Sequence, residues 1–263
     1  MKATKLIALV LAVMMLAAMF AGCDTQKEKF FISSSSDLAN AKIGVQEGTT
    51  GDLLVSEEVE GAQVSRYKKA VDGAIELKNG KLDAVVLDAW PAQKIVEQMP
   101  ELTILDEKLS EEEYAIAVRK GETDLLNSIN ATIASMKEDG TYDEFYDYFM
   151  NGTGSIADRE ATSFGKEIKM GTNAEFEPFE YRVGDEIVGF DIEMSHEIAE
   201  DFGCDLTIVD MAFDSLITAL AAGKIDFIAA GMSVTEERLQ SVDFSEPYFE
   251  ASQVIIVRKT SVK

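Results

Sequence analysis

A ten-residue pattern that occurs twice constrains the fold of this chain more than any other feature. Residues Leu77–Val86 read LKNGKLDAVV and residues Leu220–Ala229 read LAAGKIDFIA, so both begin L-x-x-G-K-[LI]-D and continue as an apolar run. A helix can end at the glycine, which adopts the left-handed cap, and the apolar run is typical of a strand covered on both faces. The pattern therefore predicts two copies of one helix-to-strand unit.

A further strand precedes each copy, at Lys42–Val45 and at Lys169–Thr172. Strands that alternate with helices form parallel sheets through right-handed crossovers, so we predict two related α/β lobes. A single larger sheet that reuses the motif is the alternative.

The duplication also predicts where a ligand binds, because open α/β sheets bind ligands beyond the carboxyl ends of their strands. Asp88 lies eleven residues after Leu77, and Gly231 lies eleven residues after Leu220. If the lobes face each other, these two strand ends form the rims of a cleft.

The rim at Gly231 carries polar groups suited to an anion. Ser233 and Thr235 offer hydroxyls, Thr235 is a candidate helix N-cap, and Arg238 follows in the first helical turn. A cation there is unfavourable to the helix dipole, and a bidentate carboxylate would offset that cost. A surface arginine paired with a neighbouring glutamate is the alternative.

The rim at Asp88 could accept an ammonium group, although capping the following helix is the commoner role of such an aspartate. Thr49 and Thr50, in a glycine-flanked segment after another strand, offer hydroxyls and amides to an anion or form an ordinary turn. Together the rims would hold the zwitterion of an α-amino acid.

Four further residues are candidates for the wall that meets the ligand side chain: Asn173, Glu175, Phe176 and Phe213. Core packing is the competing role of the two phenylalanines.

The N-terminus resembles a bacterial export signal. Two lysines precede the apolar run Leu6–Ala21, and small residues stand directly before Cys23. We expect a signal peptide over residues 1–22, lipidation of Cys23, and a flexible tether over residues 23–36. The protein would then be exported and lipid-anchored at the outer face of the cytoplasmic membrane or on the periplasmic side. A plain signal peptide and a transmembrane anchor are the alternatives.

Composition excludes several kinds of partner. The 48 acidic residues against 24 Lys and Arg give a formal net charge of -24, which disfavours binding to nucleic acid. With one histidine and only Cys23 and Cys204, we expect no metal site, no cofactor and no disulfide framework.

With these residues in hand, the sequence resembles family 3 of the extracellular substrate-binding proteins, the polar amino-acid type that serves ABC importers. The resemblance covers nearly all of residues 37–258 and is carried by these segments: Gly48–Thr50, Asp83–Asp88, Asp139–Tyr142, Gly171–Tyr181, Val188–Asp191, Phe213–Ile217, Gly231–Arg238 and Val242–Tyr248.

The resemblance implies a type II periplasmic-binding-protein fold, in which two lobes with mostly parallel central sheets flanked by helices are joined by a two-strand hinge. It implies that the carboxylate is held by Arg238, Ser233, Thr235 and Thr49, the ammonium by Asp88 and the Gly231 carbonyl, and the side chain by Phe176 and Phe213. Asn173 departs from several relatives for basic ligands, which carry an acid there.

The order of the segments also departs from the family. The family begins with the segment that is Gly171–Tyr181 here, whereas this chain places it after Gly48–Thr50. The resemblance therefore implies a circular permutation, with residues 151–165 linking the family's original C- and N-termini. Such changes are tolerated where the termini are close together.

In the permuted order we expect lobe 2 over residues 37–113 together with 254–263, and lobe 1 over residues 114–253. The hinge would run through Tyr114–Val118 and Gln253–Val257.

The resulting hypothesis is a monomeric binding protein, not an enzyme, that captures a polar L-amino acid and delivers it to the transmembrane subunits of an ABC permease. A cyclic-carboxylate dehydratase on the same fold, with Glu175 or Glu113 as general acid or base, is one alternative. An amino-acid sensor subunit is the other.

Overall fold

The computed structural model describes residues 31–157, 159 and 163–262. The predicted signal peptide, residues 1–22, and the predicted lipidation site, Cys23, lie outside the described residues. Within the described ranges, no helix is both long enough and apolar enough to cross a membrane.

In chain order the strands and helices are β1 (Lys42–Gln46), α1 (Thr50–Glu58), β2 (Gln63–Tyr67), α2 (Ala70–Lys78), β3 (Ala84–Asp88), α3 (Ala89–Gln98), β4 (Leu102–Lys108), β5 (Glu112–Tyr114), β6 (Ala117–Arg119), α4 (Thr123–Asp139), α5 (Thr141–Phe149), β7 (Glu167–Thr172), β8 (Glu175–Phe176), β9 (Glu180–Val183), β10 (Glu186–Val188), α6 (Phe190–Asp201), β11 (Asp205–Asp210), α7 (Leu216–Ala221), β12 (Phe227–Ile228), α8 (Glu236–Leu239), β13 (Val242–Phe244), β14 (Phe249–Ala251) and β15 (Gln253–Arg258). Short 3-10 turns lie at Ser35–Leu38, Phe213–Ser215 and Lys259–Ser261.

Two five-stranded sheets form two lobes, which confirms the predicted fold class and excludes a single larger sheet. The sheet of lobe 2 has the order β2-β1-β3-β15-β4, and the sheet of lobe 1 has the order β11-β7-β12-β6-β13. Each sheet is parallel except for one inserted strand, β15 or β6, which is antiparallel to both of its neighbours. The lobes are therefore copies of one topology.

The repeated aspartate forms two hydrogen bonds with the first strand of each lobe. Asp83 donates its amide to the Lys42 carbonyl at 2.8 Å and accepts the Lys42 amide on its carboxylate at 2.9 Å. Asp226 makes the same two bonds with Lys169, at 2.7 and 2.9 Å. The motif thus fixes how the third strand of each sheet meets the first.

An arginine at the end of each inserted strand reinforces this junction. Arg119 of β6 donates to the Ile225 carbonyl at 2.7 Å and approaches Asp226 at 3.4 Å. In lobe 2, Arg258 of β15 donates to the carbonyls of Leu77 and Leu82.

The chain crosses between the lobes in a two-stranded antiparallel ribbon made of β5 and β14. Apart from Tyr114, which belongs to both, its residues precede the predicted hinge segments. Residues 117–118 already belong to the sheet of lobe 1, and Gln253–Val257 lies within the sheet of lobe 2. Gln253, which we assigned to lobe 1, pairs with Asp88 of lobe 2. Burial decides the difference, because residues 253–257 are all covered and form a central strand.

Part of the predicted tether packs on lobe 2. Ile32 is fully buried, and its amide donates to the Ser261 carbonyl at 3.0 Å. The Ser35 amide and hydroxyl both donate to Glu107, at 2.6 and 2.7 Å. Residues 32–36 therefore belong to the fold, because the apolar side chain of Ile32 gains burial there.

The described part of the predicted linker at residues 151–165 contacts α6. Arg159 pairs with Glu193 and with Glu197, both at 2.9 Å. Residues 158 and 160–162 of the linker lie outside the described residues.

The repeated aspartates should stabilise the two lobes by similar amounts. We expect Asp83→Ala and Asp226→Ala each to lower the free energy of unfolding by about 1–3 kcal/mol, because each removes a charged acceptor from a strand amide. Denaturant titration followed by circular dichroism measures the change. Glu57→Ala, at an exposed position of α1, is the matched control. A loss no larger than that of the control would contradict this role.

Candidate functional site

A small, nearly filled cavity lies between the lobes. Its lining residues come from both lobes: Gln46, Thr49, Thr50, Asp88, Asn173, Phe176, Glu180, Phe213, Gly231, Ser233 and Arg238. Nine of these are predicted site residues, and Gln46 and Glu180 are additions that the sequence did not predict. Thr235 and Glu175, which we also predicted, lie outside the cavity lining.

Arg238 supplies a buried cation at the cavity. Its side chain is 7% exposed, and its guanidinium donates to the Ser233 carbonyl at 2.7 Å and across the cleft to the Gly48 carbonyl at 3.0 Å. The guanidinium also lies 5.3 Å from the centre of the Phe213 ring. Burial lowers the pKa of Arg238. A surface arginine paired with a neighbouring glutamate does not fit this position, because both described hydrogen bonds go to carbonyl groups.

The hydroxyls expected to hold an anion are already engaged. Thr235 accepts the Arg238 amide at 3.1 Å and so caps α8, which positions the arginine from outside the cavity. Thr49 caps α1 and donates to the Gln46 carbonyl at 2.8 Å. Ser233 and Thr50 both donate to the carboxylate of Glu112, at 2.5 and 2.7 Å.

Asp88 is the buried acid opposite Arg238. It is 3% exposed, and its carboxylate accepts the Tyr114 hydroxyl at 2.6 Å without capping α3. Burial, followed by the charge of Glu112, raises the pKa of Asp88 to about 7. A cationic group in the cavity would therefore stabilise its ionised form.

Gly231 requires a glycine. Its φ of +52° is left-handed, and a Cβ there would lie 2.6 Å from the Phe176 ring. Its amide donates to Asp191 at 2.9 Å. The backbone at this rim is therefore held by Asp191 of α6.

Glu180 is a buried acid that the sequence pattern did not reveal. It is fully buried on β9, and neither of its carboxyl oxygens accepts a hydrogen bond from a described residue. Burial, followed by the charge of Asp191, raises the pKa of Glu180 well above its usual range. Burial also raises the pKa of Asp191, to about 6.

Gln46 could have been found from the duplication. It stands four residues after Lys42, as Asn173 stands four residues after Lys169, so the two occupy equivalent strand ends. The Gln46 amide donates to the Asn173 side-chain oxygen at 2.8 Å across the cleft.

Ion pairs at the rim also join the lobes. Lys68 pairs with Asp214 at 2.8 Å, and Lys69 pairs with Glu175. Glu175 thus faces the other lobe at the rim instead of the cavity. The described lobes are in a closed arrangement.

Phe176 and Phe213 line the cavity and are also largely buried, at 5% and 9% exposure. Their position at the cavity is compatible with the predicted wall, and their burial is compatible with core packing. Among the described residues, no group of three or more His, Cys, Asp or Glu could hold a metal ion.

The sequence model of the bacterial extracellular solute-binding proteins, family 3, matches residues 14–152 and 168–263. The chain belongs to this family. The two matched segments flank residues 153–167, most of the predicted linker.

Curated relatives match the chain over shorter segments. The arginine-binding extracellular protein ArtP of Bacillus subtilis is 45% identical over 96 residues, which cover 36% of this chain and 38% of that protein. The histidine-binding periplasmic protein of Salmonella typhimurium is 35% identical over 97 residues, covering 36% and 37%. The chain spans about two fifths of the length of the curated relatives that it matches.

Among solved structures, the arginine-bound form of domain 1 from TmArgBP is 44% identical, with a TM-score of 0.32, and covers 36% of this chain and 81% of that chain. An ancestral arginine-binding protein bound to glutamine is 45% identical, with a TM-score of 0.31, and covers 32% and 37%.

The buried acids should make stability depend on pH. The pKa of Asp88 rises to about 7 and that of Asp191 to about 6 in the folded protein, so the folded state holds protons that the unfolded state has released. We expect the free energy of unfolding without ligand to fall as pH rises from about 4 to 7, on the order of 1 kcal/mol per pKa unit. Chemical denaturation at a series of pH values measures it.

Asp88→Asn should make this dependence shallower, because it removes one of the buried acids whose pKa is raised in the folded protein. Asp185→Asn, at an exposed position, is the control and should leave the slope unchanged. An unchanged slope in Asp88→Asn would show that Asp88 does not titrate in this range.

Proposed function

We propose that the protein binds a free polar L-amino acid in the cavity between its lobes and delivers it to the transmembrane subunits of an ABC permease. One observation carries the proposal: Arg238 is a buried guanidinium whose described hydrogen bonds go only to carbonyls, while Asp88 is a buried acid on the opposite rim. A carboxylate next to the first and an ammonium next to the second would compensate both.

The acids around the cavity favour a basic amino acid. Asp88 and Glu180 line the cavity, and Arg238 is the one cationic side chain among its described lining residues. Glu180 supplies the acid that Asn173 lacks, and its carboxyl is free to accept a guanidinium, ammonium or imidazolium group once ionised. The names of the arginine-binding and histidine-binding relatives support this choice.

Catalysis has less support from the structure than binding. Glu175, one candidate general acid or base, pairs with Lys69 at the rim, and Glu113 is exposed on the crossing ribbon. A placed acid or base must reach the substrate. The family is one of extracellular solute-binding proteins, and we further propose export and anchoring through Cys23.

Isothermal titration calorimetry of the exported domain against the common L-amino acids tests the proposal. We expect a basic amino acid to bind most tightly, and Arg238→Ala to weaken it about 30-fold or more, because the ligand carboxylate loses its buried partner.

Arg182→Ala is the matched control, since Arg182 pairs with Asp210 at an exposed position of β9. Equal binding by wild type and Arg238→Ala would contradict the role of Arg238 as the partner of the ligand carboxylate. The absence of any amino-acid ligand would contradict the proposed function.

We also propose that the chain is circularly permuted relative to its family. The hydrogen bond between the Ile32 amide and the Ser261 carbonyl supports this proposal, because it joins the first and the last described parts of the chain on lobe 2. A chain that begins at Phe164, joins Ser261 to Ile32 through a short Gly-Ser linker and ends at Asn151 should then fold.

We expect this rearranged chain to bind the same amino acid within about threefold of the original affinity, since changing the length of a surface loop costs little free energy. Circular dichroism and calorimetry provide the measurements. A rearranged chain that stays unfolded would contradict the permutation.

A further inference from the structure

Glu112, on the crossing strand β5, holds hydroxyls that come from both lobes. Its Oε2 accepts the Thr50 hydroxyl of lobe 2 at 2.7 Å and the Ser233 hydroxyl of lobe 1 at 2.5 Å. Its Oε1 accepts the Ser110 hydroxyl at 2.6 Å. A single carboxylate thus accepts the hydroxyls of Thr50 and Ser233, which we predicted from the sequence to hold an anion.

The backbone fixes this contact. The Val234 amide donates to the Glu113 carbonyl at 3.0 Å, and Tyr114 bridges to Ser233, so the rim segment runs beside β5. Ser233 and Thr50 line both the ligand cavity and an outer groove, and Glu112 lies on the groove side. Glu112 therefore contacts the hydroxyls of Thr50 and Ser233 from the side of the outer groove and not from inside the cavity.

Glu112 also acts on the charges of the site. Its charge is the largest one that stabilises the ionised form of Arg238, and it is the charge that most raises the pKa of Asp88. It therefore offers Arg238 the compensation that the proposed function assigns to the ligand carboxylate.

A serine hydroxyl has one proton to donate. Ser233 can give it to Glu112 or to a carboxylate inside the cavity, and the two carboxylates repel each other. We propose that Glu112 is an internal competitor of the ligand's α-carboxylate, which sets the affinity of the site by holding Ser233 and Thr50 until a ligand displaces it. This inference rests on the proposed function.

Competition predicts the direction in which the affinity changes when the charge of Glu112 is removed. Glu112→Gln keeps the size and an acceptor oxygen but removes the negative charge, so we expect it to tighten binding of the free amino acid by about fivefold to tenfold. The carboxamide of the same amino acid has no α-carboxylate for Glu112 to oppose. Its affinity should change by less than about twofold.

The experiment is calorimetry with two probe pairs, L-arginine with L-argininamide and L-histidine with L-histidinamide, on wild type and Glu112→Gln. Glu111→Gln, an exposed neighbour of equal charge, controls for the general acidic field. The comparison is repeated in a protein that also carries Ser233→Ala. There Glu112→Gln should increase the affinity for the free amino acid by less, because the hydroxyl that both carboxylates compete for is gone. Thermal melts of each variant establish that it is folded.

A gain for the free acid that is larger than the gain for the amide, and absent in Glu111→Gln, supports competition. Unchanged or weaker binding in Glu112→Gln overturns it and leaves the proposed function standing, as does an equal gain for acid and amide. If neither free acid binds any variant, both the competition and the basic-ligand assignment fail.

Discussion

The closed arrangement depends on a buried guanidinium that is bound by main-chain carbonyls of both lobes. Arg238 donates to Ser233 of its own lobe and to Gly48 of the other. Carbonyl dipoles offset only part of the cost of burying a full charge, so this position favours a negatively charged group nearby. Thr235 caps the helix that carries Arg238, Ser233 supplies one of the carbonyls, and Glu112 of the crossing ribbon accepts the Ser233 hydroxyl.

The twofold repetition of the lobes explains why the cavity lies where it does. In each lobe an aspartate, Asp83 or Asp226, fixes the third strand to the first, so equivalent strand ends point toward the cleft. Gln46 and Asn173 then meet across it as equivalent residues. Repetition in the sequence thus becomes an approximate symmetry of the site.

The rims differ mainly in charge. Lobe 1 contributes Arg238, whereas lobe 2 contributes Asp88, whose pKa of about 7 reflects its burial. Glu180 and Glu112 add two acids that no local pattern marks. One lies in a fully buried position of β9 and the other lies behind the hydroxyls of the cavity. Their effect comes from burial and from neighbours that are distant in sequence, as with Ser233 at 121 positions from Glu112.

The sequence by itself determined the repeated unit, the two α/β lobes and the strand ends that carry Asp88 and Gly231, because glycine caps and apolar periodicity are local properties. The sequence predicted correctly that Thr235 caps a helix, but it also predicted Thr235 in the ligand site, and the structure places that residue outside the cavity lining. Only the tertiary structure decided the crossing strands, the burial of Ile32 and the acids Glu112 and Glu180. Each of these depends on which surfaces the folded chain covers, and that is fixed by contacts between distant segments.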